Sequence, residues 1–310
     1  MFKNQQKTFL RLFSIVLLLL NVSLGFGQKV KNVPKAFKAI ETEPETIFIN
    51  NELKVPTEGG HLQGVQVVII NGREKLLVSG SSLSQAYILQ ADLAVKSTER
   101  LIILKENPYR HAGGFQVSEP FLAVGIEDNY LKTDAKVCVY NFLESNLNIP
   151  QPNFVIDRVG EPKEKTAGST GIIADGNNFL IVVSNWDSRN WDFYVFDPDK
   201  GESQILESFT APNEWPSYQS INLVKDKKAI YAIGFYQKED KGYADLIIVS
   251  KHGKFQPIMK LLNTKTFNVN NAVDFHTAAG LQVDVEGKLH IWATQRDAKK
   301  QIAVNRFSQL

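Results

Sequence analysis

The stretch HAGGFQVSE at residues 111–119 recurs along the chain, and that recurrence limits the fold more than any other feature. Its counterparts are HLQGVQVVI from His61, TAGSTGIIAD from Thr166, SYQSINLVKD from Ser217 and TAAGLQVDVE from Thr277. Aligned on the small residue before the apolar one, they give Gly64, Gly114, Ser169, Ser220 and Gly280, at intervals of 50, 55, 51 and 60 residues. A repeat of this length is one supersecondary unit, which must stack on copies of itself to bury its apolar face.

A second register agrees with the first. Each copy is followed by an apolar run with a small residue in a matching place: Ser79, Gly125, Ser184, Gly234 and Ala293. A third alternating run follows, as in AYILQADL and DFYVFDPD, and a fourth lies between units, as in LIILKENP and QILESFT. Period-2 alternation bounded by Asn, Asp, Gly and Lys-rich turns reads as strand, and no comparable helical stretch occurs after the first 27 residues. Four antiparallel strands repeated at this interval are the pattern of a β-propeller blade. The expected fold is all-β, a single five-bladed β-propeller over residues 28–310, with units starting near 61, 111, 166, 217 and 276. The fifth unit reaches Leu310 with only three strands, and ETIFINNELKV at 44–54 offers a fourth. Pairing it there would close the ring and cover two open edges.

The N-terminus reads as targeting signal rather than fold. Lys3, Lys7 and Arg11 precede the apolar run Leu12–Leu20, and Gly25 and Gly27 stand before Gln28. This fits a secretory signal peptide over residues 1–27, with an uncleaved anchor as the alternative. The mature chain carries no membrane span, so an exported, periplasmic or extracellular, monomeric protein is expected. A formal charge of +2 with scattered basic residues gives no footprint for nucleic acid. Cys138 is the single cysteine, so no internal disulfide forms; in KVCVYNF it reads as a small buried hydrophobe rather than a nucleophile.

By strand pattern and blade count the chain resembles the five-bladed propeller superfolds over essentially its whole mature length. That class contains lectins and glycosidases acting on furanosides and related sugars, so the resemblance implies a carbohydrate or other small polar ligand. It carries over no functional residue, because function belongs to sites and not to folds.

In such a fold the loops into the innermost strands and the loops between second and third strands meet on one face, here termed the inlet face. They hold His61, His111, Tyr218 and His276, with Gln66, Gln116 and Gln282 just inside the strands. They also hold Glu127, Asp128, Asn185, Trp186, Asp187, Trp191, Tyr236, Gln237, Gln295 and Arg296. The candidate catalytic residues are His111, Glu127, Asp187 and His276, which could form one asymmetric centre. The candidate ligand contacts are His61, Gln66, Gln116, Trp186, Tyr218, Gln282 and Arg296. The repeated glutamines could equally bond a neighbouring blade's backbone. His61, His111 and His276 could converge on a divalent metal, or bond ligand and backbone instead. His276 stands four residues before its glycine, whereas the other two stand three before theirs. Two carboxylates among Glu127, Asp128, Asp187, Glu214 and Asp274 could act as acid and base on a glycoside, though strand-end turns collect such residues anyway. Three functions remain open: a binding propeller, a hydrolase or lyase in the same funnel, and a protein-interaction propeller with no small-molecule site.

Overall fold

The computed structural model describes residues 30–56, 58–128, 130–132, 134–141, 151–160, 165–253 and 255–310. The segment assigned to a signal peptide lies outside them. Among the described residues, twenty strands pair as five consecutive four-stranded antiparallel units. The first is β2 (Leu62–Ile70), β3 (Arg73–Ser81), β4 (Gln85–Asp92) and β5 (Ser97–Glu106). The second is β6 (His111–Ser118), β7 (Phe121–Glu127), β8 (Asp134–Asn141) and β9 (Phe154–Val159). The third is β10 (Ser169–Asp175), β11 (Asn178–Ser184), β12 (Asn190–Asp197) and β13 (Glu202–Thr210). The fourth is β14 (Ser220–Lys225), β15 (Ala229–Lys238), β16 (Lys241–Lys251) and β17 (Pro257–Asn268). In the fifth, β18 (Ala279–Val283), β19 (Leu289–Thr294) and β20 (Gln301–Ser308) are joined by β1 (Glu45–Asn50). β1 runs antiparallel to β20 from Glu45↔Arg306 to Asn50↔Gln301.

The burial pattern explains why the units stack. A two-sided apolar strand must be covered on both faces, and each unit is covered by its two neighbours. The core is accordingly five wedges rather than one mass. Leu77, Ile88 and Leu104 meet Phe115, Leu122 and Val124 between units one and two. Val137 and Ile156 meet Ile172 and Ile181 between two and three, and Trp191 and Val182 meet Leu223 and Ile247 between three and four. Tyr231 and Leu246 meet Ile291 and Phe307 between four and five, and Trp292 and Val304 meet Val65 and Leu76 between five and one. Burial decreases outward, from Leu62–Val68 of β2, all buried, to β13, almost all exposed.

The small residues of both registers mark where backbones crowd. A Cβ on Gly280 would lie 1.7 Å from Val65 O, and one on Gly125 would lie 2.2 Å from Ala167 O, so only glycine fits either place. Two residues beyond the first register runs a polar layer about the axis. Gln116 Oε1 accepts from Ile172 N (3.0 Å) and Leu223 N (2.7 Å), while its Nε2 donates to Leu223 O (2.7 Å). Gln66 Nε2 donates to Val65 O and to Asn222 Oδ1, and its Oε1 accepts from Val117 N. Asn222 donates to Phe115 O and accepts from Leu281 N. These amides stitch inner strands together across the axis.

One element departs from the all-strand expectation. Val33–Lys38 forms a short helix, α1, whose Asn32 side chain caps Lys35 N at 2.9 Å. Val33 and Phe37 insert into the wedge between units four and five, and Val33 N donates to Asp226 Oδ2. Six residues with three buried apolar side chains, Val33, Ala36 and Phe37, are too few to show helical period in the sequence. Among the described residues, no helix is long and apolar enough to cross a membrane.

Candidate active site

Strand register assembles the site. His111 opens β6, Glu127 closes β7, and the antiparallel ladder sets them directly opposite, with Ser81 at the end of β3 on the other side. Both side chains are buried, His111 at 5% and Glu127 at 1% exposure. His111 Nδ1 lies 3.1 Å from Glu127 Oε1, which is ion-pair distance, but the two are not aligned as a hydrogen bond. The other carboxylate oxygen, Oε2, is held by Ala167 N at 2.9 Å.

Gln63 connects this pair to His61. Its Nε2 lies 3.0 Å from His111 Nε2 and 3.1 Å from each ring nitrogen of His61. His61 Nδ1 is committed to Leu62 O at 2.7 Å. A consistent assignment has His61 Nδ1–H donating to that carbonyl and the Gln63 amide donating to the Nε2 lone pairs of both rings. His111 Nδ1–H then faces Glu127. Burial pulls the His61 imidazole down to about 4, against the opposing hydrogen bond to Leu62, and Arg296 and His111 push it the same way. The ring is therefore neutral at neutral pH. Gln63 Oε1, His111 Nδ1 and Glu127 Oε1 are all buried without a hydrogen-bond partner. Seven other buried side-chain atoms, Thr170 Oγ1 and Ser220 Oγ among them, also lack a partner among the described residues, so what distinguishes these three is that they lie together.

The remaining sequence candidates divide by placement. Trp186 is 42% exposed at the rim, with Lys132 Nζ 3.9 Å above its ring. Its N donates to Thr166 Oγ1, one residue from the Ala167 amide that holds Glu127. Arg296 is exposed and near enough to His61 to depress its pKa, and Asp274 acts on the same ring in the opposite sense. Asp187 spends its carboxylate within its own turn, accepting from Arg189 N, and its backbone O accepts from Ser217. His276 is exposed on a turn anchored by its own N to Asp274 Oδ1. No hydrogen bond or ion pair joins Asp187 or His276 to the His111–Glu127 pair. Asp128 caps its own loop, accepting from Tyr130 N and Leu131 N.

Several candidate ligand contacts are occupied by protein. Gln66 and Gln116 are the interstrand struts described above. Tyr218 is buried, its hydroxyl donating to Asp245 Oδ2 at 2.7 Å. Gln282 accepts from Trp292 Nε1 and donates to Glu74 Oε1, which turns it away from the inlet face. The shared metal suggested by three histidines is not supported: among the described residues no group of three or more His, Cys, Asp or Glu side chains converges as ligands. His276 is exposed on its turn, whereas His61 and His111 share the Gln63 amide. Cys138 is buried, and burial raises its thiol pKa, as suits a packing residue.

Gln63 was not singled out by sequence. In HLQG it stands one residue before the repeated glycine, a position that holds Ala, Gly or Gln elsewhere, so no pattern marks it. The buried Arg158, donating to Thr166 O and Asp192 Oδ2, was likewise unmarked; it ties the second unit to the third beneath the rim.

No protein-family model and no curated protein sequence matches the chain. Solved structures do match its fold. The catalytic domain of a GH62 α-L-arabinofuranosidase from Coprinopsis cinerea superposes with a TM-score of 0.52 at 10% identity, covering 85% of this chain and 98% of its own. A GH43 endo-arabinanase from Bacillus licheniformis superposes with a TM-score of 0.50 at 9% identity, covering 82% of this chain and 96% of its own. At such identities the likeness is one of fold, and the chain is similar at that level to the five-bladed propellers.

Proposed function

We propose that this chain is an exported, monomeric, closed five-bladed propeller, with β1 as its closing strand. Its activity is hydrolysis of a glycosidic bond on the inlet face, over His61, Gln63, His111 and Glu127. The observation that carries the reading is the buried Glu127–His111 pair, whose facing Oε1 and Nδ1 atoms, with Gln63 Oε1 beside them, make no hydrogen bond. Glu127 Oε2 is fixed by a backbone amide, which leaves Oε1 as the acid–base atom and His111 as the group that orients it. Asp274, which acts electrostatically on His61, is a candidate for the second carboxylate that glycoside hydrolysis ordinarily uses. Trp186 at the rim offers an aromatic face for a sugar ring. The fold likeness to arabinan- and arabinofuranoside-acting enzymes agrees with this substrate class without assigning it.

Binding without hydrolysis is the second reading. It is favoured by the amide layer, which occupies the axis beneath the site, and by the confinement of Asp187 to its own turn. Chromogenic aryl glycosides and neutral plant oligosaccharides, offered to the mature protein, separate the two. Hydrolysis is expected, with Glu127→Gln lowering the rate by roughly 10²–10⁴-fold. Saturable binding with intact sugar would establish the second reading. Hydrolysis undiminished in Glu127→Gln would remove Glu127 from the chemistry.

A further inference from the structure

A second cleft, of about 460 Å³, opens away from these histidines, at the junction of the third and fourth units. Its walls are the 212–216 loop leading into β14 and the outer part of the fourth unit. Trp215 forms one side, in edge contact with Trp191 at 6.2 Å and so fixed in orientation. Tyr236 forms another and is stacked on Tyr243 at 5.0 Å with only 14° between planes. Both rings are held rigid by neighbours, which lowers the entropy lost when a ligand packs on them.

The polar side of the cleft is equally organised. Asp245 is 1% exposed at its base, with Tyr218 donating to one oxygen (2.7 Å) and Thr264 to the other (2.5 Å). Each oxygen keeps a lone pair for a further donor. Desolvation by burial raises the Asp245 pKa, and a second anion placed beside this buried carboxyl would add to the cost of its charge. Exposed Glu214 and Lys260 at the rim carry opposite charges, so the lining as a whole is close to neutral.

The backbone is deformed at this place. The β16–β17 ladder slips twice, skipping Leu262 opposite Leu246/Ile247 and again near Met259. Met259 itself sits at φ 46°, a left-handed conformation that an unbranched apolar residue rarely adopts. Bulges of this kind re-aim side chains on edge strands and collect beside functional sites, as does local strain. Here they turn Lys260, Leu261 and Thr264 into the cleft.

From the rigid aromatic walls, the capped carboxyl and the bulged edge strand, we infer that this cleft is a second binding site for a neutral saccharide unit. Its ring would pack on half-buried Tyr236 and the small exposed margin of Trp215, and its hydroxyls would reach Asp245 and the Glu214–Lys260 rim. The site is separate from the Glu127 centre and would hold a chain of sugars to the protein whether or not that centre hydrolyses it. The lining rather than the proposed activity carries the ligand class.

The test uses the four tryptophan indole N–H signals of the mature protein, assigned with Trp215→Phe and Trp186→Phe. Neutral arabino-, xylo- and galacto-oligosaccharides, with oligogalacturonate as the charged control, are titrated in turn. At least one neutral sugar is expected to move the Trp215 signal saturably, while the uronate does so at least about tenfold more weakly. Leu261→Arg, at an exposed position that blocks the cleft, is expected to weaken that titration about tenfold or more while the other indole signals keep their native positions. A Trp215 signal that no neutral sugar moves, or one that titrates unchanged in Leu261→Arg, overturns the inference. Movement of Trp186 alone would support the Glu127 site and overturn this one; movement of Trp215 alone would do the reverse.

Discussion

Two sets of repeated polar residues flank the same glycines of the innermost strands and have opposite characters. Gln66 and Gln116 fall two residues after their glycines and bond backbone or amide groups of other strands with both ends of their side chains. His61 and His111 fall three residues before the same glycines, and the cluster they form with Gln63 and Glu127 leaves three buried atoms open. Sequence recurrence is equal in the two sets. What separates them is satisfaction: a side chain whose donors and acceptors are all taken by its own chain has nothing left for a ligand. A half-open cluster lowers stability, and such a cluster is retained where function needs it.

The largest way to test the scaffold half of this contrast is to remove a strand far from the site. Deleting the described segment through Val55 takes away β1, bares β20 and empties Val33, Phe37 and Ile49 from two wedges. The loss should reach about 5 kcal/mol or more, comparable to the whole stability of an ordinary domain. Chemical denaturation should then show no cooperative native baseline. A truncated protein melting with the parent would mean that β1 is dispensable to the ring.

A smaller effect distinguishes the two sets by titration. Amides do not ionise, so the axial layer contributes no pH dependence, whereas the inlet cluster should. His61 has its pKa lowered from 6.5 to about 4, so between these values the unfolded chain binds a proton that the folded one refuses. Its stability contribution is therefore complete above pH 6.5 and is lost as pH falls toward 4, by about 2–3 kcal/mol. Asp245, whose pKa is raised by burial, works in the opposite sense, losing stability as pH rises above its ordinary value. The difference between wild type and His61→Gln across pH 4–7 isolates the histidine. Parallel stability curves for the two proteins would show that the ring is not held neutral by its surroundings.

Much of the scaffold was legible because it follows from local, periodic chemistry. Alternation placed the strands, the small residues of the second register marked crowded backbones such as Gly125, and the stretch at 44–54 contains β1. The site was legible only in part. His111 and Glu127 stood out as rare or charged residues at strand ends, and the ladder that faces them was implicit in the hairpin. Gln63 was hidden because a single polar residue near the start of a strand has no period, and its role depends on the third dimension. The glutamine struts and Tyr218 looked like ligand contacts because sequence reveals a polar group but not whether that group is already bonded. The Trp215 cleft depends on bulges in β17, and a bulge is a register event between strands that neither strand shows alone.

The contrast reduces to one pair of isosteric exchanges, Glu127→Gln and Gln116→Glu, compared by equilibrium denaturation at neutral pH. Glu127→Gln keeps an oxygen for the Ala167 amide and sets an amide nitrogen opposite His111 Nδ1, which the ring can meet by switching tautomer and donating to the open Gln63 Oε1, so stability should change by less than about 1 kcal/mol or rise. Gln116→Glu removes the donor to Leu223 O and buries a charge whose oxygens would face that carbonyl, and should cost about 3–5 kcal/mol. That asymmetry is what a carboxylate kept for function beside an amide kept for fold predicts. Equal losses in the two variants would contradict it, and would make the Glu127–His111 pair one more strut between strands.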